Sequence, residues 1–378
     1  MTSVVIAGYA RSPFTLASKG ALARVRADDL ATQVVRALVE RTGVVPEDLE
    51  DLILGCAFPE GEQGFNLARL LVLAADLPLS VGGTTINRFC GSSMQSIHNA
   101  AGQILMGAGE AFLAVGVESM SRVPMQGFNP LPSPSLFEKM PAAYIGMGDT
   151  AENVAKRWEI SRAEQEAFAV RSHHKAAAAQ KAGLLNAEIV AIKAKSGLID
   201  ADGCIRPETS AEGLAGLKPA FSQTGTVTAG TSSPLTDGAS AVLVTSEAYA
   251  NKHGLKPLAR IKSVAIAGCA PEIMGIGPVG ASRKALARAG LTIDQIDVVE
   301  LNEAFASQAL ACMRDLGIPE EKVNLDGGAI ALGHPLGATG ARITGKAASL
   351  LQRTGGKYAL ATQCIGGGQG IATVLERI

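Results

Sequence analysis

Strand-like and helix-like segments alternate along the chain. The runs 4–10 and 111–117 are largely apolar, which is typical of strands that are buried on both faces. The helical segment 36–43 ends at Gly43, and glycine commonly stops a helix. A short acidic turn and an apolar strand follow it, over 46–55. This order of elements predicts an α/β protein with mostly buried strands.

The two ends of the chain repeat one pattern. The strand-like run 4–10 resembles 264–270, and the helix, turn and strand of 36–55 resemble 283–301. A repeat this long is not that of a solenoid. We therefore expect two similar βαβ-type halves that arose by duplication.

The residues between the halves differ in character, over about 119–229. They include four methionines, a proline-rich stretch and an amphipathic helix that begins after a capping box, Ser161 with Glu164. We expect an inserted loop domain lying over the first half, an arrangement that often forms a ligand lid. The expected domains are 1–256, which contains this insertion, and 257–378.

The composition excludes several classes of protein. With 47% hydrophobic and 18% charged residues over 378 positions, the chain is too apolar to be disordered. Its net charge of -1 gives no reason to expect nucleic acid as a partner. Apolar runs are shorter than the ~20 residues that span a bilayer, and the N-terminus has no signal-type core. We expect a soluble, cytoplasmic protein.

Six cysteines occur without a CxxC pair, which argues against a disulfide framework and a zinc site. One of them, Cys90, follows Asn87 and precedes a helical pattern whose apolar face includes Met94 and Ile97. The dipole and free N–H groups of a helix N-terminus favour a thiolate and could hold an oxyanion. The alternative is a buried structural cysteine.

Two further motifs follow predicted strands. Cys364 comes after the apolar run 358–362 and precedes a glycine turn, at the strand end where α/β proteins place their sites. The alternative there is a turn with an incidental cysteine. Asn302 follows the strand-like run 297–301 and opens a helix, where it could act in chemistry or simply cap the helix.

His334 lies in the glycine-rich segment 327–340, where a surface histidine is not expected. Glycine backbone lets a substrate approach closely. The alternative is a core histidine that bonds a backbone carbonyl. His173 and His174 lie on a charged helix and point apart, so they make a poor metal site.

A dinucleotide-type pattern, GxGxxG, occurs at Gly275–Gly280. Pro278 lies inside it, and 270–274 separates it from the preceding strand. A true nicotinamide fingerprint follows its strand directly. The pattern therefore gives little support to a dehydrogenase.

Taken together, four of these segments resemble the thiolase family. The segments around Cys90, Asn302, His334 and Cys364 occur in the family's order and at its spacings. The resemblance runs from Val4 to the end of the chain. It implies the thiolase fold, an α/β fold of two similar layered α-β-α domains with a loop domain inserted in the first.

The resemblance implies a role for each motif. Cys90 would be the acylated nucleophile, His334 would activate it and help to hold an oxyanion, and Cys364 would be the general acid/base. Asn302 would position a water that, with His334, holds the thioester oxygen of an enolate. The backbone N–H groups of Cys90 and Gly366 would form a second oxyanion hole.

Contacts with coenzyme A also carry over from the family. Ser233 would contact the pantetheine, and Arg206 would lie along the adenine. Met147, Met274 and Phe305 would line the channel for the pantetheine and the acyl chain.

The family's activity is acyl transfer, with CoA and acyl-CoA as substrates and no cofactor or metal. We expect CoA-dependent cleavage of 3-ketoacyl-CoA in β-oxidation, with Claisen condensation as the reverse reaction. Short-chain biosynthetic thiolases have a His-Met pair where this chain has Gly146 and Met147, while Phe89 and Gly91 resemble the degradative branch. The alternatives are an acetoacetyl-CoA thiolase acting in synthesis and a thiolase-like binding protein without catalysis.

The family also implies a homodimer or homotetramer, and it allows a partner in a fatty-oxidation complex.

Overall fold

Strands and helices alternate through residues 2–378, which the computed structural model describes. The strands are β1 (Val4–Arg11), β2 (Thr15–Leu16), β3 (Leu49–Gly55), β4 (Gly82–Ile86), β5 (Ala111–Ser119), β6 (Ile192–Ala194), β7 (Gly197–Ile199), β8 (Thr236–Ser246), β9 (Ala259–Gly268), β10 (Val298–Leu301), β11 (Tyr358–Ile365) and β12 (Gln369–Glu376). The helices are α1 (Ala27–Thr42), α2 (Leu67–Ala74), α3 (Ser92–Leu105), α4 (Pro134–Lys139), α5 (Met147–Arg157), α6 (Arg162–Lys181), α7 (Ala211–Ala215), α8 (Glu247–Lys252), α9 (Gly277–Ala289), α10 (Ala306–Leu316), α11 (Ala329–Leu332) and α12 (Leu336–Thr354). None of these helices is long and apolar enough to cross a membrane.

Ten strands form one continuous sheet in the order β10-β11-β12-β9-β1-β8-β5-β3-β4, with β2 beside β8. β3 runs parallel to β4 and β5, and β10 runs parallel to β11. The other neighbours are antiparallel. The sheet's two halves meet where β1 pairs with β9, through Val5 with Arg260 and Ile6 with Ala259.

The two half-sheets repeat one topology. The order β3-β5-β8-β1 in the first half matches β10-β11-β12-β9 in the second, with the same senses of pairing. Helices α1 and α9 also end alike, at Gly43 and Gly290, whose φ angles of 68° and 67° are left-handed and suit glycine. The predicted duplication is therefore visible in the fold. The predicted boundary after residue 256 falls between α8 and β9, and the division into two domains there stays a prediction.

The buried apolar side chains form layers on both faces of the half-sheets. α1 and α2 cover the outer face of the first half, and α9 and α10 cover the outer face of the second. α3 and α12 lie between the half-sheets, in a core that both halves supply. Each half thus has the predicted α-β-α layers, and the middle helical layer is shared.

Helices α3 and α12 touch at a glycine. A Cβ atom at Gly340 of α12 would lie 2.3 Å from the backbone nitrogen of Met94 on α3, so only glycine permits this approach. α3 begins two residues after Cys90, and α12 begins two residues after His334. The close packing of the two helices therefore brings the segments of Cys90 and His334 to the junction of the halves.

The inserted region contains α4 to α7 and the hairpin of β6 and β7. The capping box of Ser161 and Glu164 begins α6 as predicted. The expectation that the insertion lies over the first half is wrong, because α5 packs on α10, α6 packs on α10 and α11, and Phe168 joins the core of the second half. The half that the insertion covers depends on where apolar side chains such as Phe168 find an apolar surface to pack against. It does not depend on which half comes first in the chain. The insertion returns to the first half where Ile189 pairs with Arg11.

Candidate active site

Cys90 lies in a short 3-10 turn, Phe89–Gly91, at the start of α3. Phe89 has a positive φ of 44°, which is a strained conformation for a residue other than glycine. The Asn87 side chain supports the turn, because its Oδ1 accepts a hydrogen bond from the Phe89 N–H at 2.8 Å and its Nδ2 donates to the Ala57 carbonyl at 2.9 Å. The strained turn is therefore fixed by neighbouring backbone, and Cys90 within it is partly exposed.

Although Cys90 as a residue is partly exposed, its thiol is desolvated by the surrounding side chains, which raises the pKa of Cys90 to about 12. The backbone N–H groups of Gly366 and of Cys90 itself oppose this rise in pKa, whereas the charge of Glu118 adds to it. Desolvation thus acts against the thiolate that a position at a helix N-terminus is expected to favour, and a thiolate at Cys90 stays a prediction. These two N–H groups are the ones expected to form the second oxyanion hole, a role that stays a prediction.

His334 is buried, and both of its ring nitrogens lie near polar side chains. Nδ1 is 2.6 Å from Oγ1 of Thr339, and Nε2 is 3.5 Å from Nδ2 of Asn302. The backbone N–H of His334 donates to Oγ1 of Thr236 at 3.1 Å. Burial lowers the pKa of His334 to about 3, and the charge of Arg342 acts in the same direction. The ring is therefore neutral at neutral pH and has a nitrogen free to accept a proton.

Asn302 is buried at the end of β10, and its backbone N–H donates to the Thr362 carbonyl of β11 at 3.0 Å. Phe305 stands at the N-cap of α10, so Asn302 does not cap that helix. Within residues 2–378, Oδ1 of Asn302 has no hydrogen-bond partner. A buried amide beside His334 with an unpaired oxygen can bind a water or a substrate atom.

Cys364 is buried near the end of β11, before a turn in which Gly367 and Gly368 have φ angles of 78° and 82°. Burial raises the pKa of Cys364 well above its ordinary value, and the charge of Cys90 raises it further. Gln363 donates from Nε2 to the carbonyl oxygen of Cys90. This bond joins the residue before Cys364 to Cys90, so Cys364 lies near the turn of Cys90.

The residues expected to line the CoA channel gather at Cys364. Met147, Met274 and Phe305 belong to one apolar cluster with it. Ser233 donates from Oγ to the carbonyl of the residue before Phe305, at 3.1 Å. The structure thus brings four of the five expected contacts to one side of the site.

Arg206, the fifth expected contact, lines a cavity of about 170 Å³. The wall of this cavity also includes His173, Cys204 and Ser232. Because Ser232 directly precedes Ser233, the cavity adjoins the segment that carries the expected pantetheine contact.

Three residues of the site were not singled out from the sequence: Glu118, Thr339 and Gln363. Glu118 is buried and accepts hydrogen bonds from the N–H groups of Ala57 at 2.8 Å and Gly337 at 2.9 Å. A lone carboxylate at the end of an apolar strand was a signal for Glu118. The sequence offered no comparable signal for Thr339 or Gln363.

Comparison with known proteins agrees with this architecture. The family models for the N-terminal and C-terminal domains of thiolase match residues 4–248 and 255–377. The 3-ketoacyl-CoA thiolase of Pseudoalteromonas translucida is 50% identical over 388 residues, and that of Bacillus subtilis is 47% identical over 389 residues, each alignment covering 100% of both chains. The crystal structure of the Bacillus anthracis acetyl-CoA acetyltransferase superposes with a TM-score of 0.93 at 41% identity, covering 100% of this chain and 99% of that one. The chain therefore belongs to the thiolase family.

Proposed function

We propose that this protein is a degradative thiolase, an acyltransferase that cleaves 3-ketoacyl-CoA with CoA. The products are acetyl-CoA and an acyl-CoA shortened by two carbons. The names of the full-length relatives support this activity. The observation that carries the proposal is the meeting of the four motifs: Nε2 of His334 lies 3.5 Å from Nδ2 of Asn302, and Gln363, which precedes Cys364, donates to the carbonyl oxygen of Cys90.

The first half-reaction forms an acyl-enzyme. Neutral His334 takes the proton from the Cys90 thiol, and the thiolate attacks the ketone carbon of the substrate. The bond between C2 and C3 then breaks, which leaves the acyl group on Cys90 and releases an acetyl-CoA enolate. The N–H of protonated His334 and a water held by Asn302 stabilise the enolate oxygen. Cys364 gives its proton to C2, which completes acetyl-CoA.

The second half-reaction transfers the acyl group to CoA. The Cys364 thiolate takes the proton from the CoA thiol, which attacks the acyl carbon on Cys90. The N–H groups of Cys90 and Gly366 stabilise the resulting oxyanion. When the acyl-CoA leaves, Cys90 takes its proton back from His334, and all groups return to their starting state.

Substrate binding in this proposal follows the apolar cluster at Cys364. Met147, Met274 and Phe305 line the channel for the pantetheine and acyl chain, Ser233 contacts the pantetheine, and Arg206 lies along the adenine. The steps use side chains, backbone and the CoA substrates, with no resident cofactor or metal.

A short-chain acetoacetyl-CoA thiolase acting in synthesis is the second candidate. The solved relative at 41% identity, named acetyl-CoA acetyltransferase, favours it. The same groups would catalyse the reverse of cleavage, the Claisen condensation of two acetyl-CoA molecules. Gly146 stands where short-chain enzymes have a histidine, which favours the degradative proposal.

Steady-state thiolysis over a ladder of 3-ketoacyl-CoA chain lengths tests the two candidates. We expect kcat/KM to rise beyond acetoacetyl-CoA. Cleavage of acetoacetyl-CoA alone would favour the synthetic enzyme. A protein that turns over no acyl-CoA, and whose Cys90 does not react with iodoacetamide, would be a binding protein.

We also propose a homodimer formed through β4, which ends the order of strands in the sheet. The apolar side chains of Phe65, Leu73 and Leu79 are exposed near this edge, and open strand edges with apolar neighbours favour association. Light scattering on Leu79→Lys should give a smaller particle than the wild type; a monomeric wild type would contradict the proposal.

Further proposals are a tetramer, a hydratase/dehydrogenase partner and a cytoplasmic location. The measured mass tests the first, co-purification the second and cell fractionation the third.

A further inference from the structure

Thr339 lies in the first turn of α12, and its hydroxyl faces His334. Oγ1 of Thr339 is 2.6 Å from Nδ1 of His334, and both side chains are buried. At this distance one atom donates a hydrogen to the other. A hydroxyl can do either, because it has one hydrogen to donate and two lone pairs.

The direction of this hydrogen bond decides where the ring carries its hydrogen. If the hydroxyl accepts, Nδ1 is protonated and Nε2 has a free lone pair; if it donates, Nε2 holds the hydrogen. The amide nitrogen of Asn302, 3.5 Å from Nε2, carries hydrogens and therefore favours a lone pair on Nε2. The surroundings of the ring thus favour Nδ1–H.

We propose that Thr339 is a positioning residue that holds His334 as the Nδ1–H tautomer, an inference that rests on the proposed function. Nε2 can then accept the proton of Cys90, while the bond from Nδ1–H to Oγ1 stays in place. A carboxylate in the position of Thr339 would orient the ring equally well, but its charge would favour a ring that is already protonated. The uncharged hydroxyl orients His334 and leaves it able to act as a base.

Two substitutions separate the hydroxyl from the shape of the side chain. Thr339→Val removes the hydroxyl at nearly constant volume, and Thr339→Ser keeps it. We expect Thr339→Val to lower kcat for thiolysis and the rate of Cys90 alkylation by iodoacetamide by about tenfold or more, the effect of one hydrogen bond. KM should change by less than about twofold, since the substrate contacts are intact. Thr339→Ser should restore both rates.

The chain offers a matched control in His98 and Thr373. Nε2 of His98 lies 2.8 Å from Oγ1 of Thr373, both side chains are buried, and burial lowers the pKa of His98 to about 3, as for His334. Thr373→Val therefore breaks an equivalent histidine–threonine bond outside the proposed machinery. It should leave kcat and alkylation near the wild type, whereas equal losses in both valine variants would contradict a specific role for Thr339.

The tautomer can be read in the wild-type protein, so the test does not depend on the folding of a variant. The chain has five histidines, and comparison with a His334 variant assigns the signals of that ring in a 15N NMR spectrum. We expect a protonated Nδ1 and an unprotonated Nε2 on His334. A protonated Nε2 in the free protein, or a Thr339→Val enzyme with wild-type rates, would overturn the proposal. A wild type that shows the Nδ1–H tautomer but cleaves no 3-ketoacyl-CoA would instead count against the proposed function.

Discussion

Glu118 of the first half accepts a hydrogen bond from the backbone N–H of Gly337 in the second half, at 2.9 Å. The same carboxylate accepts from the N–H of Ala57 at 2.8 Å. Ala57 and Leu336 belong to the apolar cluster that packs against Cys90. One buried carboxylate therefore joins the surroundings of Cys90 to the start of the helix that follows His334.

Glu118→Gln should weaken this junction. Glutamine has nearly the same size, but its NH2 group would face N–H donors and leave at least one of them unpaired. We expect the free energy of unfolding to fall by about 2 kcal/mol, measured by urea denaturation. Glu110→Gln, at an exposed position before β5, is the control and should change stability by less than about 0.5 kcal/mol. Equal stability of the two variants would show that the bonds of Glu118 contribute little.

Acid should remove the contribution of Asp326 to stability. Burial alone would raise the pKa of Asp326, but the hydrogen bonds from Arg353 at 2.6 and 2.7 Å and the charge of Lys346 hold it below its ordinary value. The unfolded chain therefore binds this proton more tightly, so the contribution is full above about pH 4 and is lost as pH falls toward the lower pKa of the folded state. The difference in unfolding free energy between the wild type and Asp326→Asn should shrink over that range; a difference independent of pH would contradict this account.

The acyl group should be found on Cys90. After incubation with an acyl-CoA, peptide mass mapping should locate the label there, because Cys90 lies in the turn before α3 and is partly exposed, whereas Cys364 is buried. Cys90→Ser should abolish the label, and Cys312→Ser, which changes a buried thiol in the core of the second half, should retain it. Label on Cys364 with Cys90 unmodified would reverse the proposed roles.

Asn302→Ala should lower kcat much more than it raises KM. Removal of one donor to an oxyanion typically costs about 100- to 1000-fold in kcat, and the proposed water on Asn302 acts on the enolate, which forms only during reaction. Asn251→Ala, in an exposed position on α8, should have the kinetics of the wild type. A normal kcat together with a lower unfolding temperature would mean that Asn302 has a structural role.

Cys364→Ser should separate the chemical steps. Serine keeps the shape, but its hydroxyl does not exchange protons in the working pH range, so Claisen condensation and thiolysis should fail. Acylation of Cys90 by acetyl-CoA should persist, because His334 can serve that step. Cys312→Ser, at another buried thiol, is the matched control. Turnover near wild type in Cys364→Ser would mean that Cys364 takes no part in the reaction.

The sequence predicted the parts of the site that depend on local pattern. Cys90 lies at the start of a helix and Cys364 near the end of a strand, because apolar runs and glycines determine these elements within a few residues. The four motifs around Cys90, Asn302, His334 and Cys364 lie at the junction of the halves, where strand ends and helix starts meet.

The electrostatics of the site could not be predicted in this way. The pKa of Cys90 depends on desolvation by segments far away in sequence, which opposes the effect expected from the helix N-terminus. The contact of Thr339 with His334 depends on how one side chain is oriented in the first turn of α12. The position of the insertion depends on the apolar surface against which Phe168 packs. The residues near Phe168 in the sequence do not indicate which surface that is.

Cys90 and His334, the proposed nucleophile and base, occupy corresponding places in the duplicated halves. Cys90 precedes α3 by two residues, His334 precedes α12 by two residues, and these helices lead into the equivalent strands β5 and β11. In an ancestor with one copy of the half per chain, two chains would have had to associate to bring such helices together, and both helix starts would have carried the same residue. Fusion of the two copies into one chain allowed each position to mutate independently. The proposed division of roles between a thiol and an imidazole is one that two identical chains could not have had and that a single fused chain permits.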